Sequence, residues 1–127
     1  MSISEEQLTA VLALSGPKRY SHFIGRVVNF EEAWGLWNDG WALAQTDEQQ
    51  LAFPLWPARE YAQKCATGDW INYKPEIIPL EDLMHELLPI LRNDGVLPAV
   101  FMTPHEKGVT PTVEEFLKDL EFELTKY

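Results

Sequence analysis

The sequence predicts an α+β domain in which about five helices pack on a small antiparallel sheet. Three observations predict it. Apolar residues recur at helical spacing near both ends of the chain. Between them the period changes to two over residues 33–55, around the turn signal Asn38-Asp39-Gly40. Helix and strand signals then alternate to the end, with no repeat, low-complexity segment or linker. The 127 residues read as one domain, 1–127, long enough to bury a core without disulfides or a structural metal.

Ser4 stands three residues before Gln7 as in a capping box, and Ile3 and Leu8 have the spacing of a hydrophobic staple. Glu5 and Glu6 suit the positive end of the helix dipole. This first helix, 4–14, presents Leu8, Val11 and Leu12 to the core. Ser15-Gly16-Pro17 breaks it and opens a second helix, with Tyr20, Phe23, Ile24 and Val27 on one face and a stop near Asn29.

Residues 33–37, 41–45 and 51–55 read as the three strands of a meander. Pro54 has no N–H to give a ladder, which places the third strand at an edge or at its own end. Pro57 suits the first turn of a third helix that carries Ala58, Tyr61, Ala62 and Cys65 on one face and stops at Gly68. Trp70 to Pro75 reads as an aromatic loop.

Pro79 opens a fourth helix. At about 100° per residue, Leu80, Leu83, Met84, Leu87, Leu88, Ile90 and Leu91 share one arc. Pro89 falls on the solvent side and should bend this helix around the core before Asn93-Asp94-Gly95 ends it. Leu97 to Phe101 is a buried strand. Thr112 with Glu115 repeats the capping-box pattern and opens a last helix on Val113, Phe116, Leu117, Leu120 and Leu124.

Twenty acidic side chains against ten basic ones give a net charge of −10. A phosphate backbone needs clustered Lys and Arg, and only Lys18 and Arg19 are adjacent here, so nucleic acid is set aside as a partner. Anionic membrane surfaces are disfavoured for the same reason. The acidity serves solubility, or steers the protein toward a basic partner. One cysteine, Cys65, excludes an internal disulfide and fits a reducing compartment. The segment MSISEEQ is acidic where a signal peptide is basic, and no apolar run approaches the ~20 residues of a membrane span. The expectation is a cytoplasmic protein.

Catalytic patterns are missing. His22, His85 and His105 fall on separate elements, with no HExxH or CxxC, so no metal or other cofactor is expected. Glu81 and His85 are four apart on the fourth helix and could serve an enzyme, but such a pair is more often a solvated helix face. Cys65 shares its spacing with core residues and reads as a buried thiol. No serine sits in a GxSxG elbow, and the glycines form no phosphate-binding run.

Aromatic placement is the distinctive feature. All five tryptophans lie between Trp34 and Trp70, and Tyr73 is close behind. Alternation puts Trp34, Leu36, Trp41, Leu43, Leu51, Phe53 and Leu55 on the core face. The reverse face carries small residues with Trp37 and Trp56. That second face is either a packed mini-core under the Trp70–Tyr73 loop or a partly open groove. Arg59, just after Trp56, either stacks on a ring or binds a ligand carboxylate, or else forms a surface salt bridge. The candidate binding residues are therefore Trp37, Trp56, Arg59, Trp70 and Tyr73.

The run WALAQTDEQQLAFPLWPAREYAQKCATGDW, then YKPEIIPLEDLMHELLPIL and NDGVLPAVFMTP, resembles the uncharacterised bacterial family called domain of unknown function 2750. The resemblance covers about positions 20–120. It rests most on Pro54-Leu55-Trp56-Pro57 with Arg59, Tyr61 and Ala62, and on Trp70, Tyr73, Pro75, Ile77, Pro79 and Leu80. It implies an α+β fold and supplies no mechanism, since the family carries no established activity. Three functional readings are open, in this order: a small non-catalytic binding or regulatory protein, an immunity-type inhibitor of a basic toxin or nuclease, and an enzyme with a carboxylate/His site. A homodimer that buries the tryptophan-rich face is compatible with the first.

Overall fold

Ser4 Oγ accepts the backbone N–H of Gln7 at 3.1 Å and starts α1 (Glu5–Leu12). The structure, a computed structural model, describes residues 3–127. Pro17 stands in the first turn of α2 (Gly16–Phe30), which Glu31 ends in the left-handed conformation at φ 58°. Phe23 of α2 meets Phe116 of the last helix, α6 (Val113–Leu124), with ring centroids 5.7 Å apart. Both bonds of the second capping box are formed. Glu115 N–H reaches Thr112 Oγ1 at 3.1 Å, and Thr112 N–H reaches Glu115 Oε1 at 2.9 Å.

The strands form no meander. β1 (Glu32–Trp37) pairs antiparallel with β4 (Lys74–Pro79) along six residues, the stretch expected to begin as an aromatic loop. β2 (Ala44–Gln45) and β5 (Leu97–Val100) flank β3 (Leu51–Leu55), antiparallel and parallel to it respectively. The turn at Asn38-Asp39-Gly40 does form, and Ala42 N–H reaches Leu36 O at 2.9 Å. The returning chain then leaves β1, because the same edge at Trp34 is taken by Trp56 through two backbone bonds of 2.8 and 2.9 Å. A hairpin and a third strand compete for one edge, and the third strand's end wins it.

Pro54 sits in the central strand of the three, not at an edge. Leu55 O accepts from Phe101 N–H on the β5 side, and Trp56 turns its backbone groups the other way to Trp34. By alternation the Pro54 nitrogen also faces away from β5, past the end of the two-residue β2, where no ladder bond is lost. Because β3 is central, Ala52, Phe53, Pro54 and Leu55 are all buried. Leu43 and Leu51, expected in the core, are 47% and 43% exposed.

α3 (Arg59–Lys64) follows Pro57, and Tyr61, Ala62 and Cys65 are buried. A single 3₁₀ turn, Gly68–Trp70, leads on to β4. The fourth helix runs as α4 (Leu80–Asp82), a π-helical segment Leu83–Leu87 and α5 (Leu88–Asp94). Leu88 N–H bonds to Leu83 O, five residues back. Pro89 brings no N–H and its ring crowds the preceding turn, and the wider turn relieves that crowding. The extra residue in that turn also rotates α5 about its axis. Ile90 leaves the buried arc and is 56% exposed, while Leu88 and Leu91 stay in it. Gly95, at φ 70°, caps the helix as its sequence suggested.

Arg19 is fully buried. Its Nε donates to Phe101 O at 3.1 Å, and its Nη1 donates to Leu14 O and Glu106 Oε1, both at 2.7 Å. This guanidinium ties the start of α2 to the loop after β5, which forms a wall of the candidate site.

Candidate functional site

Trp56 is the centre of a packed cluster. Its ring has no exposure, its Nε1–H donates to Met102 O at 3.0 Å, and Trp70 meets it edge-on at 6.3 Å. Cys65 lies against the same carbonyl, with Sγ 3.6 Å from Met102 O, and burial pushes its thiol up to about 11. At neutral pH that sulfur is a protonated core group, not a nucleophile.

The five expected site residues part company. Trp70 is half-buried above Trp56. Tyr73 is half-buried beyond it, with its N–H on Trp70 O at 2.9 Å. Trp37 is 42% exposed and stands with Trp41, edge-on at 5.0 Å, at the Asn38-Asp39-Gly40 turn. Arg59 is exposed, and among the described residues it has no carboxylate at ion-pair distance, so the expected salt bridge is not made. Trp56 and Trp70 are brought together. Trp37 and Arg59 do not join them.

Beside the Trp56–Trp70 cluster runs a groove of about 570 Å³. Leu43, Ala44, Gln45 and Leu51 line it from the β2–β3 hairpin, Cys65, Thr67, Asp69 and Trp70 from the end of α3 and the turn after it, and Met102, Thr103 and Pro104 from the loop after β5. Thr103 Oγ1 accepts the N–H groups of His105 and Glu106 at 3.1 and 2.9 Å, so that loop carries its own turn. With Arg19 holding Phe101 O from below, that wall is fixed at both ends. The groove thus presents exposed leucines, an indole and one carboxylate on a rigid frame.

A second hollow of about 460 Å³ lies across β2, floored by Ala44, Ala52 and Ala99, with Asp47 and Lys107 ion-paired at its rim. Leu43 and Leu51 were hidden from sequence reasoning because alternation sent them inward. Their signal was position: they flank the polar turn Thr46–Gln50, where a hairpin tip projects past the core.

Glu81 and His85 are both exposed, next to a shallow hollow that Glu31 also lines. Among the described residues no group of three or more His, Cys, Asp or Glu is placed to hold a metal ion, and no helix is long and apolar enough to cross a membrane.

The model of the family described as "Protein of unknown function (DUF2750)" matches residues 20–120 of this chain. The protein belongs to that family, whose function is unknown. No curated protein and no solved structure matches it.

Proposed function

We propose that the protein is a non-catalytic binding module and that a partner protein docks in the groove between β2 and Trp70. One observation carries this reading. Leu43, just before β2, and Leu51, at the start of β3, stand 47% and 43% exposed and line a groove with a half-buried tryptophan. Leucines beside a partly open indole supply the desolvated centre typical of a docking site. Trp56 belongs to the frame of this site and not to its contact surface. Arg59, Trp37 and Tyr73 do not line it, and Tyr73 is joined to Trp70 by a backbone hydrogen bond.

The partner carries basic groups around an apolar segment. A net charge of −10 attracts such a surface and repels nucleic acid and anionic lipid, and Asp69 gives one contact at the rim. A cytoplasmic setting accords with the single buried thiol. Photo-crosslinking in cells tests the reading. A benzophenone side chain at position 43 or 51 is expected to capture one protein, while the same probe at the equally exposed position 90 captures none. Equal capture at all three positions, or none at any, contradicts it.

A further inference from the structure

His22 and Arg26 lie one turn apart on α2, and Tyr61 of α3 packs edge-on against His22 at 6.3 Å, close enough to Arg26 to feel its charge. Tyr61 is fully buried, and His22 and Arg26 are half-buried. Buried polar groups in folded proteins are almost always hydrogen-bonded, so an exception asks for a cause. Among the described residues three buried side-chain polar atoms have no partner: His22 Nε2, Arg26 Nε and Tyr61 Oη. All three belong to this one junction.

Arg26 is set apart in a second way. Of the ten basic side chains, five reach a carboxylate and four others are exposed to water. Arg26 alone is drawn in from solvent with no carboxylate at ion-pair distance among the described residues. Its guanidinium lies 4.3 Å over the Phe30 ring, which leaves the Nε edge free. The carboxylate nearest in sequence to Tyr61 is Glu60, and its Oε2 accepts the Ile3 N–H at 3.3 Å. Among the described residues, none of the twenty acidic side chains reaches this cation.

Arg26 and Tyr61 are donors, and a protonated imidazole is one as well. A fixed positive charge beside two groups that can each donate, with none of the three atoms paired to another group, is the complement of an oxyanion, whose bonds to such donors are the strong, charge-assisted kind. We propose that His22, Arg26 and Tyr61 form a binding site for a small oxyanion, a carboxylate or phosphate group, at the junction of α2 and α3. The three atoms are themselves closed to solvent, so an anion enters as the half-exposed His22 and Arg26 side chains swing aside, with the fully buried Tyr61 beneath them. In the free protein, burial first and then the neighbouring Arg26 hold the imidazole below its ordinary range. The negative charge of a bound anion opposes both effects and recruits the third donor.

The test tracks the His22 ring by NMR, assigned with His22→Asn, during separate titrations with sodium phosphate and sodium acetate at constant ionic strength. A saturable shift with either anion is expected, and the one that saturates sets the class of ligand. Arg26→Gln should weaken binding by roughly tenfold or more. Tyr61→Phe keeps the ring packing and removes an unpaired buried hydroxyl, so it should melt no lower than the parent chain while binding less tightly. No saturable shift from either anion by about 50 mM, a very weak affinity, would overturn the site. Arg26→Gln binding as tightly as the parent would do so too. Water would then fill the junction.

Discussion

Arg19 and Thr112 show how unequally single side chains hold this protein. Arg19 satisfies three backbone carbonyls and one carboxylate from a fully buried position. Arg19→Met is expected to cost about 3 kcal/mol or more, because Phe101 O and Leu14 O lose their donor in the interior. Glu106→Gln keeps an oxygen for Arg19 Nη1 but takes the counter-charge from a buried guanidinium, so it should destabilise the protein by less than Arg19→Met does. Urea unfolding measures both. Thr112→Ala loses a cap and should cost about 1 kcal/mol. The caps at Ser4 and Thr112 were legible in the sequence because their partners are three residues away. Arg19 was not. Its acceptor at Phe101 is 82 residues distant, and nothing local separates it from the exposed Lys18 beside it.

His22 adds a pH dependence at this scale. Burial and Arg26 lower its folded pKa from the ordinary 6.5, so on acidification the unfolded chain takes up this proton first. Its contribution to stability is therefore complete above about 6.5 and declines as pH falls below that value. Glu60 and Arg26 are the charged neighbours at the junction, and neither is removed in His22→Asn. That variant should show a shallower loss of stability between pH 6.5 and 5 in denaturant melts, and an unchanged slope would refute the assignment.

Among the elements, helices were read well and strand pairing badly. Helical spacing is a local code, and α1, α2, α3 and α6 lie where it put them. Pairing depends on which segments compete for an edge. The turn signal at Asn38-Asp39-Gly40 was correct, yet β1 gives its full length to β4, a strand with two prolines and mostly exposed residues that carries little period-two signal. Pro89 was read as a bend, and the structure meets it with a π-helical segment that displaces Ile90.

Two glycines test the packing of these elements in opposite directions. A Cβ on Gly35 of β1 would stand 2.8 Å from the Trp41 ring, so Gly35→Ala should cost about 1–3 kcal/mol. Gly25, inside α2, has nothing within 4 Å of such an atom. Gly25→Ala should therefore stabilise the protein by about 0.5–1 kcal/mol. Thermal melts of the two variants should move apart from the parent chain, one down and one up.

At the scale of the whole molecule, the charge of −10 governs encounter more than structure. Its ion pairs are mostly exposed, and such pairs add little stability. Association with a basic partner should slow as salt rises from about 0.05 to 0.5 M, with a smaller change in dissociation. The tryptophans divide into frame and surface. Their confinement to one stretch of sequence drew attention to this region, and burial separates the enclosed Trp56 from the half-exposed Trp70 of the proposed site. No local pattern could assign that division, because it depends on the Phe101–Lys107 loop, which arrives from the far end of the chain and is seated by Arg19.

The groove itself is tested most directly by Leu43→Asp with Leu51→Asp, measured for binding to the crosslinked partner alongside a melting curve of the same protein. Both side chains are exposed, so the melting temperature should stay within a degree or two, while binding falls by roughly a hundredfold, the loss of about 3 kcal/mol expected of a docking centre. Unchanged binding by a folded double variant would contradict the placement of the docking site between β2 and Trp70.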